Sequence, residues 1–286
     1  MGKKKKKQKT RYLIAAVSDL HINSTVALCK PTVVLDDGGY YTASPIQTWI
    51  YQQWIDYWKW VEGYKKALGR ELIVWFGGEM ADNLHHHTTQ LISRNEYDQK
   101  RHAVAVLQPA LELADKIVVI RGSEAHVGAS GWMDEWVAND ISASPSGSGD
   151  DGPFSWWRWQ GKIDGMVIDG AHHPGTGHGR PWTRGGDSNR LAAIVKDDYI
   201  ENGLWPPDIV LRGHNHKPSD SYDNHMTRAI ILPSWQLTNA FGYRLGGGWL
   251  PIGGLVLWAD EEEEGRINVK KKYSKWPVSV TDYWRP

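Results

Sequence analysis

Asp208-Ile209-Val210-Leu211-Arg212-Gly213-His214-Asn215-His216 is the stretch on which the reading of this chain turns. Pro206-Pro207 introduce it, a short apolar run follows, and two histidines one residue apart close it. An apolar run of this length, bounded by proline and glycine, reads as a buried strand. Its polar residues fall at the C-terminal end, where open α/β sheets carry their sites.

The same construction recurs upstream. Tyr12–Val17 runs into Ser18-Asp19-Leu20-His21, Glu71–Phe76 into Gly77-Gly78-Glu79, and Lys116–Ile120 into Arg121-Gly122-Ser123, with His126 close by. Gly165–Ala171 runs into His172-His173-Pro174. Between these runs lie helical patterns. Ser44-Pro45 supplies an N-cap and a first-turn proline for a helix to about Leu68, stopped by Gly69. Others span roughly Gln90 to Ala114 and the stretch up to about Asn202. This β-α-β-α-β alternation gives the α/β class. Trp156–Gln160, Thr227–Leu232 and Gly253–Lys272 read as further strands, the last two regions antiparallel, with Glu261–Glu264 at a solvated turn. Asn23–Ala43 reads as a loop excursion with a small hairpin, and Ser142–Pro153 as an exposed loop.

Taken singly, each strand ending has an ordinary explanation. Asp-x-His occurs by chance, paired histidines can be loop residues, and Glu79 could cap the next helix. Five such endings at the same end of successive strands are accounted for together by a metal site. Nitrogen and oxygen donors of this kind suit Zn, Mn, Fe or Ni, and two divalent ions can be held if one carboxylate bridges them. Cys29 is the single cysteine. It can form no internal disulfide and no cysteine cluster, so histidine and carboxylate must supply the ligands.

In this order, Asp19-Leu20-His21, Gly78-Glu79-Met80-Ala81-Asp82, Gly122-Ser123-Glu124, His172-His173-Pro174 and Gly213-His214-Asn215-His216 span about Leu13 to Lys217. The series resembles that of the calcineurin-like metallophosphoesterases: Asp-x-His, Gly-Asp-x-x-Asp, Gly-Asn-His-Asp/Glu, a later lone His, and Gly-His-x-His. The resemblance implies an α/β fold, a two-sheet β-sandwich flanked by helices in a four-layer αββα order, with the site on loops at one edge. It implies two divalent ions held by Asp19, His21, Glu79 as the bridge, Ser123, His172, His214 and His216. His172 is favoured over His173 because the family's ligand precedes one residue and then proline; His173 is expected to face the metals as well. Asp82 and Asn83 are expected to orient ligands or cap the following helix. His85 to His87 belong near the same rim, as loop histidines or as a substrate contact.

Three positions depart from the family pattern. Glu79 replaces the bridging aspartate and reaches one methylene further. Ser123 replaces an asparagine, and a neutral hydroxyl is a poorer ligand than a carbonyl oxygen. Glu124 stands where the family has its acid histidine. His126, two positions on, is either a surface loop histidine or the replacement for it. Arg121 to His126 looks like the Arg-Gly-Thr-x-x-His loop of a phage-type branch of the superfamily, which favours the second role.

Composition narrows the partners. The 286 residues carry 33 basic and 33 acidic side chains, so no global field selects nucleic acid, membrane or acidic partners. Residues 1–10 are expected to be a solvated basic tail built on Lys3–Lys7, and 11–286 one domain. No stretch approaches the roughly 20 apolar residues of a membrane span, and Met1–Thr10 lacks the apolar segment of a signal peptide; a cytoplasmic protein is expected. Seventeen tryptophans stand against three phenylalanines. In the first helix, Trp49, Trp54, Tyr57, Trp58 and Trp60 are too many for one narrow stripe, so part of it is expected to face a partner or a cleft.

The function implied by the resemblance is metal-dependent hydrolysis of a phosphoester by a metal-activated water, a phosphodiester for preference and nucleic acid among the candidates. Arg121, His126 and Glu124 are the candidate catalytic groups. Arg180, Trp182 and Arg184, in the glycine-rich stretch Gly175–Asp187, either contact substrate or are solvated loop residues. Trp132 and the lysine tail could assist a nuclease. Two other classes stay open: a metal-binding scaffold without catalysis, which the Asp-to-Glu and Asn-to-Ser departures would suit, and a nucleic-acid-binding module, which would need a larger basic patch.

Overall fold

The computed structural model describes residues 11–85, 87–146, 152–175, 186–244, 249–263 and 265–277. Its strands are β1 (Tyr12–Val17), β2 (Thr32–Val34), β3 (Tyr40–Thr42), β4 (Glu71–Phe76), β5 (Lys116–Val119), β6 (Arg158–Ile163), β7 (Met166–Ala171), β8 (Ile209–Arg212), β9 (Ser219–Asp220), β10 (Arg228–Ile231), β11 (Ile252–Ala259) and β12 (Ile267–Ser274). Its helices are α1 (Pro45–Leu68), α2 (Glu96–Leu111), α3 (Glu124–Val127), α4 (Trp132–Asp140), α5 (Gly186–Glu201) and α6 (Ala240–Arg244).

β1 and β4 are apolar along their whole length because both faces are covered, as expected for parallel strands inside an α/β sheet. Leu13, Ala15, Val17, Leu72, Val74 and Phe76 face α1, α2 and α4; Ile14, Ala16, Ile73 and Trp75 face the second sheet. The first sheet has the order β12-β11-β1-β4-β5 and the second β6-β7-β8-β10-β9. Their inner faces meet through Ile14, Trp75 and Leu257 on one side and Ile168, Leu211 and Ile230 on the other. The outer face of the second sheet, Val210, Ala229 and Ile231, is closed by Leu191, Val195 and Tyr199 of α5. The layers therefore run helices, sheet, sheet, helix, the mixed α/β sandwich expected from the sequence.

At the start of α1, Ser44 Oγ accepts from the Gln47 amide while Gln47 Oε1 accepts from the Ser44 amide, and Gly69 ends the helix at φ 62°. Its aromatic residues turn mainly inward, against the cleft-facing expectation. Trp54, Tyr57 and Trp58 are buried, Trp54 Nε1 donates to Val106 O at 3.0 Å, and Tyr57 Oη donates to Leu255 O at 2.9 Å. Trp54 also packs edge-on against Trp235 at 4.8 Å. Trp49 and Trp60, on the flanks, lie against Trp276 and Tyr64. The wide aromatic face fits a helix wedged between a sheet and another helix.

α2 begins at Glu96, capped by Asn95, rather than at Gln90. The preceding backbone is occupied elsewhere: Thr25 N donates to Gln90 O and Ile92 N to Asn23 O, which excludes helical bonding there. Among the described residues no helix is long and apolar enough to cross a membrane. β1, β4 and β5 run parallel in one sheet and β7 and β8 in the other, so their C-terminal ends deliver their polar residues to one edge of the sandwich.

Candidate metal centre

The loops that leave these strands are laced together by backbone bonds. Asp19 N donates to Gly78 O at 3.0 Å, His21 N to Glu79 O at 2.9 Å, and Gly213 N to His172 O at 2.9 Å. Asp19 Oδ1 and Oδ2 accept from the His214 amide at 2.9 and 3.1 Å. The approach is close enough to require glycine. A Cβ on Gly78, at φ 96°, would lie 2.8–2.9 Å from Gly122 and the His172 ring, and one on Gly213 would overlap Ser18 and Asp19.

Asp19, His21, Glu79, His214 and His216 all have positive φ, between 46° and 69°. These five are nearly half of the eleven described non-glycine residues in that region; Asp and His are enriched there, whereas Glu79 is a residue type that seldom visits it. Left-handed backbone costs roughly 1–2 kcal/mol per residue, so the surrounding packing must hold these side chains in place. Strain concentrated in this way is a mark of functional sites.

Two groups of ligating atoms result, each with members within 4.8 Å of one another: Asp19, His21, Glu79 and His216, and His172, His173 and His214. Glu79 joins them. Its Oε2 lies 3.1 Å from His21 Nε2 and its Oε1 3.1 Å from His172 Nε2. The longer side chain thus gives one oxygen to each histidine set. His21 Nε2 and His216 Nε2 face each other at 3.0 Å, and His214 Nδ1 and His172 Nε2 at 3.3 Å.

These contacts test whether the residues fit a metal. His172 Nδ1 lies 2.7 Å from Gly77 O and must donate its proton there. Its Nε2 then meets the Glu79 carboxylate either as an imidazolium or across a cation, while the facing Nε2 atoms of His21 and His216 either share one proton or both turn a lone pair to a cation. Nitrogen and oxygen lone pairs converging on two points suit two divalent ions. The donor set fits.

Without cations the groups neutralise one another. Burial alone would raise the carboxyls and lower the imidazoles, but pairing overrides it. Asp19 is held below the ordinary carboxylate range by His216 and His172, and Glu79 well below it by His172. His21 is lifted well above its ordinary value by Asp82 and Glu79, and His172 up to about 9 by Glu79. His214 is pushed down to about 4, and His173 is lowered, by burial and by the charged His172. Divalent ions entering here would displace protons from His21 and His172.

Beside this cluster, Asp82 Oδ1 gathers three imidazoles. His126 Nδ1 lies 2.7 Å away, His85 Nε2 3.1 Å and His21 Nδ1 3.6 Å. The His126 ring packs 4.7 Å from that of His21 and 4.0 Å from that of His85. His21, Asp82 and His126 themselves form a further group with metal-ligand spacing. Asn83 contributes backbone, its N–H donating to His126 O at 2.9 Å, while its side chain accepts from Leu84 N.

Other candidate residues are engaged differently. Ser123 donates both its hydroxyl and its amide to Glu79 Oε1, so it steadies the carboxylate that reaches both histidine sets. Arg121 is spent away from the ligands: Nε donates to Ser155 Oγ at 2.8 Å, Nη1 to Ser130 O at 3.1 Å and Nη2 to Glu135 at 3.2 Å. Glu124 is exposed at the start of α3 and accepts from Ser130 N at 3.0 Å. Both serve the turn that leads into α4, because that turn leaves backbone groups unpaired. His173 is exposed, its ring 4.4 Å from that of His214. Arg180, Trp182 and Arg184, like His86, lie outside the described residues.

Asp134 escaped the sequence reading. Fully buried on α4, its Oδ2 accepts from Glu79 N at 3.0 Å and Gly122 N at 2.7 Å, and its Oδ1 from Met80 N at 3.0 Å. Burial pushes its carboxyl up to about 6 against the pull of these three amides. It pins the loop after β4 to the loop after β5. An acidic residue in a short helix carries no sequence signal for such a role.

No family model and no curated protein matches the chain. Among solved structures it is similar to a hypothetical protein from Pyrococcus horikoshii, at 12% identity over 92% of this chain and 89% of that one, with a TM-score of 0.42. It is also similar to Vps29 from Chaetomium thermophilum, at 11% identity over 93% and 96% of the two chains and a TM-score of 0.34. A metallophosphoesterase from Sphaerobacter thermophilus aligns at 12% identity over 94% and 90%, with a TM-score of 0.34.

Proposed function

We propose that this chain is a metal-dependent phosphoesterase of the calcineurin-like superfamily, related to its phage-type branch, that hydrolyses phosphodiesters at a two-metal site in the cytoplasm. The observation that carries the reading is Glu79, buried and aimed with one oxygen at His21 and the other at His172. Asp19, His21, Glu79 and His216 would hold one ion, and Glu79, His172 and His214 the other, with His173 at its exposed side. Two divalent cations there, Mn, Zn, Fe or Ni, would acidify a water and polarise the phosphoryl oxygens.

The chain's own groups supply orientation and proton transfer. Asp82 holds the His126 ring through Nδ1, so Nε2 is the nitrogen left for exchange; from the imidazolium it would give its proton to the departing oxygen, leaving a neutral ring with its proton on Nδ1. Asp82 also stands behind His21, its Oδ1 3.6 Å from Nδ1, where its negative charge favours a proton on that nitrogen and leaves Nε2 to the ligand cluster. Ser123 keeps Glu79 Oε1 turned towards His172. The candidate substrate contacts are Arg180, Trp182 and Arg184.

The test is to strip the protein of metal and add back Mn, Ni or Zn separately. Turnover of bis-p-nitrophenyl phosphate and p-nitrophenyl phosphate is then measured, with Asp19→Ala and His216→Ala as controls. Metal-dependent turnover that both changes abolish is expected, with the diester preferred. A second reading, a metal-binding scaffold without catalysis, is favoured by Ser123, whose neutral hydroxyl is a poor metal ligand and donates to Glu79 Oε1. Stoichiometric metal binding without turnover would replace the first reading with the second.

A further inference from the structure

A cavity of about 400 Å³ has a lining that includes Val26, Gln90, Leu237, Tyr243, Trp249 and Trp276. Its wall is tied to the loop that carries Asp19 and His21 through the backbone. Trp235 N donates to Asp19 O at 2.8 Å, and Leu237 N donates to Val26 O at 3.0 Å. Two residues of chain cover at most about 7 Å, so Leu237 N stands within about 10 Å of the Asp19 backbone. Gln90 belongs to the loop that carries His85, and its Oε1 accepts from Ala240 N at 2.8 Å, joining the two walls.

Two of the rings are unusually bare for their size. Trp249 is 54% exposed and Tyr243 56% exposed, while Trp276 is braced edge-on by Trp49 at 5.2 Å. Large rings left half uncovered around a concave apolar space, with an amide at its edge, match a planar heteroaromatic guest, which stacks on π-faces and offers polar edges. Aliphatic or purely anionic guests would leave the rings unmatched, and the described lining residues carry no formal charge.

We infer that this cavity seats the nucleobase of the phosphoester substrate, so that the reacting phosphorus belongs to a nucleotide. The inference rests on the phosphoesterase reading and narrows its substrate class. Base stacking on an aromatic wall raises affinity about tenfold or more per base. It therefore predicts discrimination between two diesters with the same leaving group, the p-nitrophenyl ester of thymidine monophosphate and methyl p-nitrophenyl phosphate.

With the metal-loaded protein, kcat/KM for the thymidine ester is expected to exceed that for the methyl ester by about tenfold or more. In Trp249→Ala and Tyr243→Ala the ratio should fall towards one. Competition by thymidine monophosphate against a single-stranded oligothymidylate at equal nucleotide concentration tells a free nucleotide from a strand. A ratio near one in the unaltered protein, or a ratio that survives both substitutions, overturns the nucleobase assignment while leaving the phosphoesterase reading intact. Failure to hydrolyse either ester with any metal removes both.

Discussion

The Ser123 hydroxyl donates to Glu79 Oε1, the same oxygen that stands 3.1 Å from His172 Nε2. The serine is thereby tied to the carboxylate that joins the two histidine sets. An asparagine at this position could instead offer a carbonyl oxygen beside His172 and His214. Ser123→Asn is expected to tighten the second equivalent of Mn by about tenfold, the worth of one added ligand of roughly 1.4 kcal/mol. Calorimetric titration of metal-free protein measures this, and an unchanged second binding constant would detach residue 123 from the second ion.

Asp82 gathers His126, His85 and His21 on one oxygen, so its loss should disorient rings rather than remove a ligand. Asp82→Asn is expected to lower kcat by roughly 10–100-fold, the range for residues that orient metal ligands, with a smaller change in KM. If the effect runs through His126, then His126→Ala should give a similar loss and the double variant little more. Fully additive losses would mean that the two act independently.

Three buried amides depend on Asp134. Leaving buried donors unpaired costs about 1–3 kcal/mol each, partly relieved by entering water. Asp134→Ala should therefore destabilise the fold by about 3 kcal/mol or more, a fall in Tm of roughly 6 °C or more. Asp134→Asn, which keeps one acceptor, should fall between. A Tm within a degree or two of the parent in a thermal melt would end the idea that this side chain pins the two loops.

Far from the site, His102 on α2 is buried, and its Nε2 accepts from Lys30 N at 3.4 Å. Burial, helped by the Lys30 charge, pushes its pKa down to about 4. The folded state thus binds this proton less readily than the unfolded chain. Its contribution is fully present above the unfolded value near 6.5 and is lost as pH falls towards 4, up to about 3 kcal/mol. Urea midpoints at neutral and acid pH should separate more for the parent than for His102→Gln. Equal separations would show that the ring titrates normally.

Much of the candidate site was legible because its candidate ligands follow apolar runs. Tyr12–Val17 and Ile209–Arg212 announce strands, and a strand end dictates where Asp19, His21, His214 and His216 must emerge. The two-sheet sandwich followed from the resemblance those motifs carry. What could not be read depended on contacts between distant segments. Asp134 looks like any helical acid until α4 is laid against two loops, and Arg121 looks like a phosphate binder until Ser155 and Glu135 are seen to take its donors. The aromatic face of α1 suggested a cleft because the sequence does not disclose that Trp235 and Val106 come to meet it.

β1 lies between β4 and β11, and Ile14 pairs with Leu257. During synthesis β1 must therefore wait, one edge unpaired, until β11 has been made. Asp19 waits with it, since Trp235 caps its carbonyl. Pairings this distant in sequence fold slowly and leave sticky edges exposed meanwhile. A product that stops before β11 would keep β1 bare on one side, an edge that invites aggregation beside the candidate ligands it carries.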